Sequence, residues 1–319
     1  MNENIATVSA HPQVEAALSE DLAHGDALIG TIAPILRHLL ANDDHSLFSD
    51  EIIARVRGMM HDVARQLLDA LAAAAGQADA REHPGEAYDT MVHAFIADPA
   101  FLAHAHALAL EWQLTERMQA RLALDPVLSP LVQALIASPD GGTGATAMAL
   151  LAAQARFVQN QRRMQLPLSE LPADLLHTAL QALRSHGGVE EVHRVSAETA
   201  IRVQFDESRS RLGLISRLIA GMGGGATAAL SVTHAGAAMF LSALSLASGQ
   251  SRDTAVLSTN EGQLARLALA LRASGLKPQA VEEQFVSLHP EVSLPEGFEA
   301  LGADRAAALL ARSAAYPGG

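Results

Sequence analysis

The clearest hydrophobic pattern in the chain lies between residues 50 and 75. Its apolar positions recur at alternating steps of three and four residues, at Ile53, Val56, Met60, Val63, Leu67, Ala70 and Ala74. This spacing is typical of a helix that packs along its length on another helix. We call Ile53, Val56, Met60, Val63 and Leu67 the seam, and we treat it as a candidate interaction surface. The pattern leaves open whether the seam packs within one chain or against a second copy in a homodimer.

Helical periodicity covers most of the remaining chain, and Pro, Gly and short polar residues divide it into segments. Ser49 is the predicted N-cap of the seam helix, because its hydroxyl can accept a hydrogen bond from a free backbone N–H. Residues 27–40 are predicted to form a short helix that is interrupted or begins near Pro34. Further helices are predicted at residues 86–96, 100–124, 127–137, 145–165, 173–185, 227–247, 260–273, 278–287 and 303–314.

Residues 189–205 allow two interpretations. Ile201, Val203 and Phe205 alternate as in a strand, which would suit a hairpin. Helical spacing is instead kept by Val189, Val192, Ser196, Thr199 and Val203. We favour a helix, because Glu, Arg and Ala fill the intervening positions, and we expect it to continue to Ala220.

Two segments of the C-terminal half resemble one another. In residues 244–249 and again in residues 269–275, leucines precede a Ser-Gly pair, and a new helix is predicted within about five residues. Helix pairs that recur in this way indicate stacked helical repeats, as in α-solenoid or HEAT-like arrays.

Residues 209–310 also carry a family resemblance. Its residues are Ser248-Gly249, Asn260-Glu261, Leu267–Leu271, Ser274-Gly275-Leu276 and Pro278. On these residues the C-terminal half resembles a family of uncharacterised bacterial all-α proteins with short HEAT-like units. The resemblance implies stacked helices and no assigned activity.

The most linker-like segment is residues 138–144, with the sequence Ser-Pro-Asp-Gly-Gly-Thr-Gly. It predicts an acidic helical domain at residues 1–140 and a second helical domain, with the possible repeats, at residues 141–319. Charge is uneven along the chain, since residues 1–160 hold 20 acidic and 8 basic residues. An acidic half disfavours nucleic acid and anionic membrane surfaces as partners.

Composition narrows the fold class and the chemistry. Hydrophobic residues make up 49% of the chain but aromatic residues only 3%. The apolar content is therefore mostly Ala and Leu, which favours an all-α fold with little or no sheet. The absence of Cys excludes disulfides, thiolate zinc sites, iron–sulfur clusters and cysteine nucleophiles, and it suits a reducing cytoplasm.

Three motifs suggest specific chemistry. Asp174-x-x-His177 and Glu190-x-x-His193 have the carboxylate–histidine spacing of helical di-metal sites, although only the second has Glu. The glycine-rich residues 221–227 could present N–H groups to a phosphate, but a hinge between helices explains them better. The polar end of the helix at residues 145–165 could dock an acidic partner or simply complement the helix dipole.

A membrane span is the alternative for residues 228–248, which have no formal charge. A buried core helix is favoured, because Ala, Ser and His replace the Leu, Ile and Phe that a span would carry.

We therefore expect a soluble cytoplasmic protein that binds other proteins as a non-enzymatic interaction, regulatory or scaffold protein. We expect no cofactor, no nucleic acid and no membrane, and a protein partner that is unidentified or is a second copy. The alternatives are a helical metal-binding protein or enzyme built on Asp174, His177, Glu190 and His193, and a membrane-associated helical protein. The sequence identifies no catalytic residue.

Overall fold

A computed structural model describes residues 3–41, 50–76, 85–185 and 190–312. The regular elements of these residues are helices without any β-strand, which confirms the all-α fold class. The α-helices, in chain order, are α1 Glu3–Ala41, α2 Asp50–Ala74, α3 Gly85–Ala97, α4 Pro99–Leu122, α5 Pro130–Ile136, α6 Gly141–Arg162, α7 Ala173–Ser185, α8 Glu191–Gln204, α9 Arg211–Gly221, α10 Val232–Ser248, α11 Arg252–Leu257, α12 Leu264–Ala273, α13 Pro278–Leu288 and α14 Ala303–Arg312.

The chain forms two compact units, and each unit is discontinuous in sequence. The first unit comprises Met1–Ile32, Leu110–Leu151 and Ile215–Gly319, and the second comprises Ala33–Ala109 and Ala152–Leu214. This division differs from the predicted pair 1–140 and 141–319, because the boundaries between the units fall inside α1, α4, α6 and α9 and not at residue 140.

Only residues 138–140 of the predicted linker are non-helical, because α6 already begins at Gly141. The Oδ2 of Asp140 accepts a hydrogen bond from the backbone N–H of Thr143, at 2.8 Å. Hydrogen bonds from Thr143 also hold the pKa of the Asp140 carboxyl below its ordinary value. An acidic side chain that accepts N–H groups of the first turn begins a helix even where two glycines follow it.

In the second unit, α2 packs against α3, α7 and α8. Asp50 and Glu51 lie in the first turn of α2, as expected for acidic residues near a helix N-terminus. The predicted cap, Ser49, lies outside the described residues. The bounds predicted for α7 are confirmed, with Ala173 and Ser185 as its ends.

In the first unit, α10 packs against α5, α11, α12 and α13, while α12 also packs against α14. Gln284 on α13 accepts the backbone N–H of Val232 through its Oε1, at 2.9 Å, and so anchors the start of α10. No single helix of the described chain is long and apolar enough to span a membrane. The 3-10 helix Gly223–Leu230 and α10 meet that criterion only as a pair bent by 109°.

Helix α1 is longer than predicted, since it continues through Pro34 from Glu3 to Ala41. Proline removes one backbone donor and is unfavourable inside a helix. Burial of the side chains around the proline offsets that cost, since Ile29, Leu36 and Leu39 are all buried. An ion pair between Arg305 and Glu15 adds a polar contact to α1.

The ambiguous segment is a helix, as favoured, because α8 covers Glu191–Gln204. The expected continuation to Ala220 is wrong, because α8 ends at Gln204 and α9 begins at Arg211. Asp206 starts a short 3-10 turn by accepting the N–H of Ser208 through Oδ1, at 3.0 Å. A local side-chain hydrogen bond of this kind competes with helix continuation.

The two similar segments of the C-terminal half share the same helix ending. Gly249 follows α10 with φ of +71° and Gly275 follows α12 with φ of +89°. Glycine favours this left-handed conformation at a helix C-terminus. A new helix then begins at Arg252 and at Pro278. A stacked solenoid stays a prediction, and so does the family resemblance that implied it.

Candidate functional site

The seam residues lie in the core of the second unit. Their side chains are at most 2% exposed, namely Ile53, Val56, Met60, Val63 and Leu67. The helices that α2 contacts, α3, α7 and α8, belong to the same chain. The seam therefore packs within one chain and not against a second copy. A homodimer formed through the seam would require these side chains to leave the core of the unit.

The four candidate metal ligands divide between two helices. Asp174 and His177 are exposed on α7, whereas Glu190 and His193 lie at the start of α8. The Nδ1 of His193 lies 3.0 Å from the carbonyl oxygen of Ala74, at the end of α2. Within the described chain, no group of three or more His, Asp or Glu side chains could hold a metal ion. His193 therefore makes a polar contact with the end of α2.

The glycine-rich residues 221–227 do not form a loop directly before an α-helix. Residues Gly223–Leu230 form a 3-10 helix, and α10 begins only at Val232. The glycines therefore lie at least a full turn before the free N–H groups of α10. A phosphate site of the kind considered requires those groups to point at the ligand.

The polar end of α6 is only partly buried, because Gln161 is buried and contacts α2 whereas Arg156, Arg162 and Arg163 are exposed. The guanidinium of Arg55 donates to the carbonyl oxygen of Gln161. The Oδ2 of Asp62 accepts the backbone N–H of Leu166 at 3.0 Å, and Gln66 donates to the carbonyl oxygen of Leu166 at 2.9 Å. These bonds satisfy buried backbone groups of the segment that follows α6. The role of these bonds is therefore structural, while the docking of an acidic partner on the exposed arginines of α6 stays a prediction.

A second part of this polar region surrounds Arg211 at the start of α9. Its guanidinium carbon lies 3.7 Å from the centroid of the Phe157 ring, a cation–π geometry. The backbone N–H of Arg211 donates to Glu170 Oε2 at 2.8 Å, and Nη1 donates to Gln154 Oε1 at 3.4 Å. Sequence reasoning missed this buried arginine, because nothing in its local pattern distinguishes it from an exposed one.

A cavity of about 20 Å³ lies beside Arg211, lined in part by Phe157, Gln161, Leu166 and Glu170. One water molecule needs roughly 10–15 Å³ of such space. Pockets for small molecules are larger by an order of magnitude, about 300–1,000 Å³. The cavity therefore has room for water and not for an organic substrate.

The surface feature that stands out is on α8. Val192, Val195 and Val203 are 64%, 53% and 80% exposed, although Val is among the residues most often buried. The side of α8 that faces the protein instead carries Ala197, which is 1% exposed. We call Val192, Val195, Thr199 and Val203 the valine face.

Charged side chains lie beside the valine face and are fixed by ion pairs. Arg194 pairs with Glu191 at 2.6 Å. Glu198 accepts hydrogen bonds from Arg184 Nε at 2.7 Å and from Arg202 Nε at 2.8 Å. The hydrogen bond from Arg184, with that from Arg202, lowers the pKa of Glu198 to about 2 despite partial desolvation. The ion pairs hold the charged flank of α8 in a defined arrangement.

In the sequence, the spacing of Val192, Thr199 and Val203 favours a helix over a hairpin and nothing more. An exposed stripe and a buried stripe have the same helical spacing, so that signal could not reveal a surface.

Comparison of the chain with protein-family models, with curated proteins and with solved structures finds no match. The function is therefore argued from the residues of this chain.

Proposed function

We propose that this chain is a non-enzymatic protein-interaction protein whose binding surface is the valine face of α8. The observation that supports the proposal is the exposure of three valines on one side of an ordered helix. Burying apolar surface is favourable by about 25 cal/mol per Å². Exposed apolar groups that form one patch mark interaction sites, whereas single exposed apolar residues are ordinary.

The partner that fits this face is an amphipathic helix of a protein. Residues spaced by three and four positions form ridges, and the ridges of one helix pack into the grooves of another. The flanking ion pairs of Glu191 and Glu198 would select the orientation of the partner, because like charges opposed across an interface are unfavourable. A scaffold or regulatory role needs no more than such a surface.

The composition supports the compartment and the class of partner in this proposal. With no cysteine, the chain suits a reducing compartment such as the cytoplasm, where we place it. Its formal net charge of −13 disfavours nucleic acid as the partner. The binding surface itself carries both signs of charge, which suits a protein partner.

The proposal is tested by placing a photo-crosslinking amino acid at position 195 of the full chain in the cells that produce it. We expect crosslinked adducts at this position, and we expect the additional change Val203→Glu to remove them. The same amino acid at position 286 is the control, since Val286 is at least as exposed as Val195, at 62% against 53%, but lies on α13. Adducts that form equally at both positions, or at neither, would overturn the proposed function.

A further inference from the structure

We infer that the partner on the valine face is a second copy of this chain, with the two α8 helices packed antiparallel about a twofold axis. The inference rests on the proposed function and commits that surface to self-association. It differs from a homodimer through the seam, whose side chains are buried in the core of the second unit.

The first support is the shape of the valine face. With 100° between successive helical residues, Val192, Val195, Thr199 and Val203 fall within about 80° around the axis of α8. This narrow stripe has the width of a contact between two helices rather than that of a helix covered on several sides. From Val192 to Val203 the stripe extends along about 17 Å of α8.

The second support is the order of charges along one flank of the stripe. Glu191, Arg194, Glu198 and Arg202 alternate in sign along α8. By the same rotation per residue, all four lie within about 80° of one another, on the side next to Val195. Glu191 in the first turn and Arg202 in the last turn have side chains that are 75% and 47% exposed. The acidic and basic ends of this flank are therefore accessible.

These charges are complementary to themselves when the helix is reversed. In an antiparallel pair about a twofold axis, each flank of one helix meets the same flank of the other, running in the opposite direction. Glu191 of one copy then lies opposite Arg202 of the second copy, and the contact occurs twice. Val192 lies within one turn of the second copy's Val203. A parallel pair would instead place the charged flank against the uncharged flank with His193 and Ala200.

The size of the surface sets the expected strength. A stable interface buries about 800 Å² on each partner, more than one pair of 14-residue helices can supply. We therefore expect a dimer that forms reversibly and depends on protein concentration. Its pairing of opposite charges would also weaken as salt is added.

Sedimentation velocity on the full chain tests this inference over a concentration series from micromolar to about millimolar. We expect a monomer–dimer equilibrium. The change Val195→Glu combined with Val203→Glu should raise the dimer dissociation constant at least about tenfold, because it places charges in the apolar contact. Val286→Glu, at a valine of matched exposure on α13, should leave the equilibrium unchanged.

A charge exchange tests the antiparallel arrangement without touching the valines. Arg202→Glu should raise the dissociation constant about two- to fivefold, as loss of exposed charge pairs does. The double change Glu191→Arg with Arg202→Glu should restore self-association, because the opposite charges meet again. A mixture of this double variant with the unchanged chain should form no more mixed dimer than the Arg202→Glu variant forms with itself. If the double change does not restore self-association, the antiparallel pairing is overturned.

The outcomes separate this inference from the proposed function. A chain that stays monomeric throughout the series, or a dimer that tolerates both valine changes, would overturn the second copy as the partner. Crosslinks from position 195 to a different protein would overturn it too, while they would support the proposed function. Crosslinks from position 195 to the same chain support both. Circular dichroism of each variant establishes that the helical fold is retained.

Discussion

Helices α2 and α8 belong to the same unit and pack against one another, yet the apolar stripe of α2 is buried and that of α8 is exposed. The stripe of α2 is the seam, and it is buried. The stripe of α8 is the valine face, and it is exposed, while α8 turns Ala197 toward the protein. Apolar spacing therefore identifies a helix without identifying which side of that helix is covered.

The side chains explain why the two helices differ. The stripe of α2 is long and continuous, with Met60 and Leu67 among large residues that fill the space between helices. The stripe of α8 is less apolar, because it includes Thr199 and lies beside Ser196, whose hydroxyl groups tolerate water. A small residue such as Ala197 lets α8 approach α2 closely. The covered face of α8 thus needs little apolar content.

The polar residues of the two helices differ in the same sense. On α2, Asp62 and Gln66 form hydrogen bonds to the backbone of Leu166. Leu166 lies 104 positions after Asp62 in the sequence. On α8, Glu198 bonds to Arg184 and Arg202 at the surface. The polar groups of α2 stabilise the interior of the unit, and those of α8 shape its surface.

The strongest test of this difference introduces the same charge into both stripes. We expect Val63→Asp to lower the free energy of unfolding by at least about 4 kcal/mol, because an unpaired carboxylate would be buried. Val195→Asp, on the exposed stripe, should change it by less than about 0.5 kcal/mol. Urea unfolding of the monomer at low protein concentration measures both. Equal losses for the two variants would show that the valine face is covered.

An intermediate loss of stability is expected when the hydrogen bond between Asp62 on α2 and the backbone of Leu166 is removed. Asp62→Ala should lower the free energy of unfolding by about 1–3 kcal/mol, because the buried N–H of Leu166 loses its acceptor. Asp69→Ala is the matched control on the same helix, since Asp69 is exposed and pairs with Arg65 at the surface. Its effect should stay within about 0.5 kcal/mol. A similar loss for both variants would contradict the structural role of Asp62.

The smallest effect is expected from the charged flank of α8, and it depends on pH. The pKa of Glu198 is lowered from 4.5 to about 2, so the ionised carboxylate stabilises the fold. That stabilisation is fully present above pH 4.5 and is lost as the pH falls towards about 2. The unchanged chain should therefore exceed Glu198→Gln in stability at neutral pH, and the two should converge on acidification. Thermal unfolding at a series of pH values measures the difference, and a constant difference would refute the ion-pair explanation.

Local rules predicted much of the secondary structure and little of the site. Helix α7 ends where its pattern predicted, because its apolar positions and flanking residues act within a few positions. The predicted start of α5 near residue 127 is three positions too early, because Ser129 caps the helix and Pro130 begins it. The valine face was visible as spacing but not as a surface, since exposure depends on neighbours that are remote in sequence.

By itself the sequence determined an all-α chain, the positions of most helices and the presence of a helix with a continuous packing stripe. These properties follow from composition, from capping residues and from apolar periodicity, which act over one or a few helical turns. Only the tertiary structure decided that the seam is internal, that each unit is assembled from separate segments and that the valine face of α8 is exposed. Burial of a helix face is decided by the surfaces that chain folding brings against it, and those surfaces come from residues far away in the sequence.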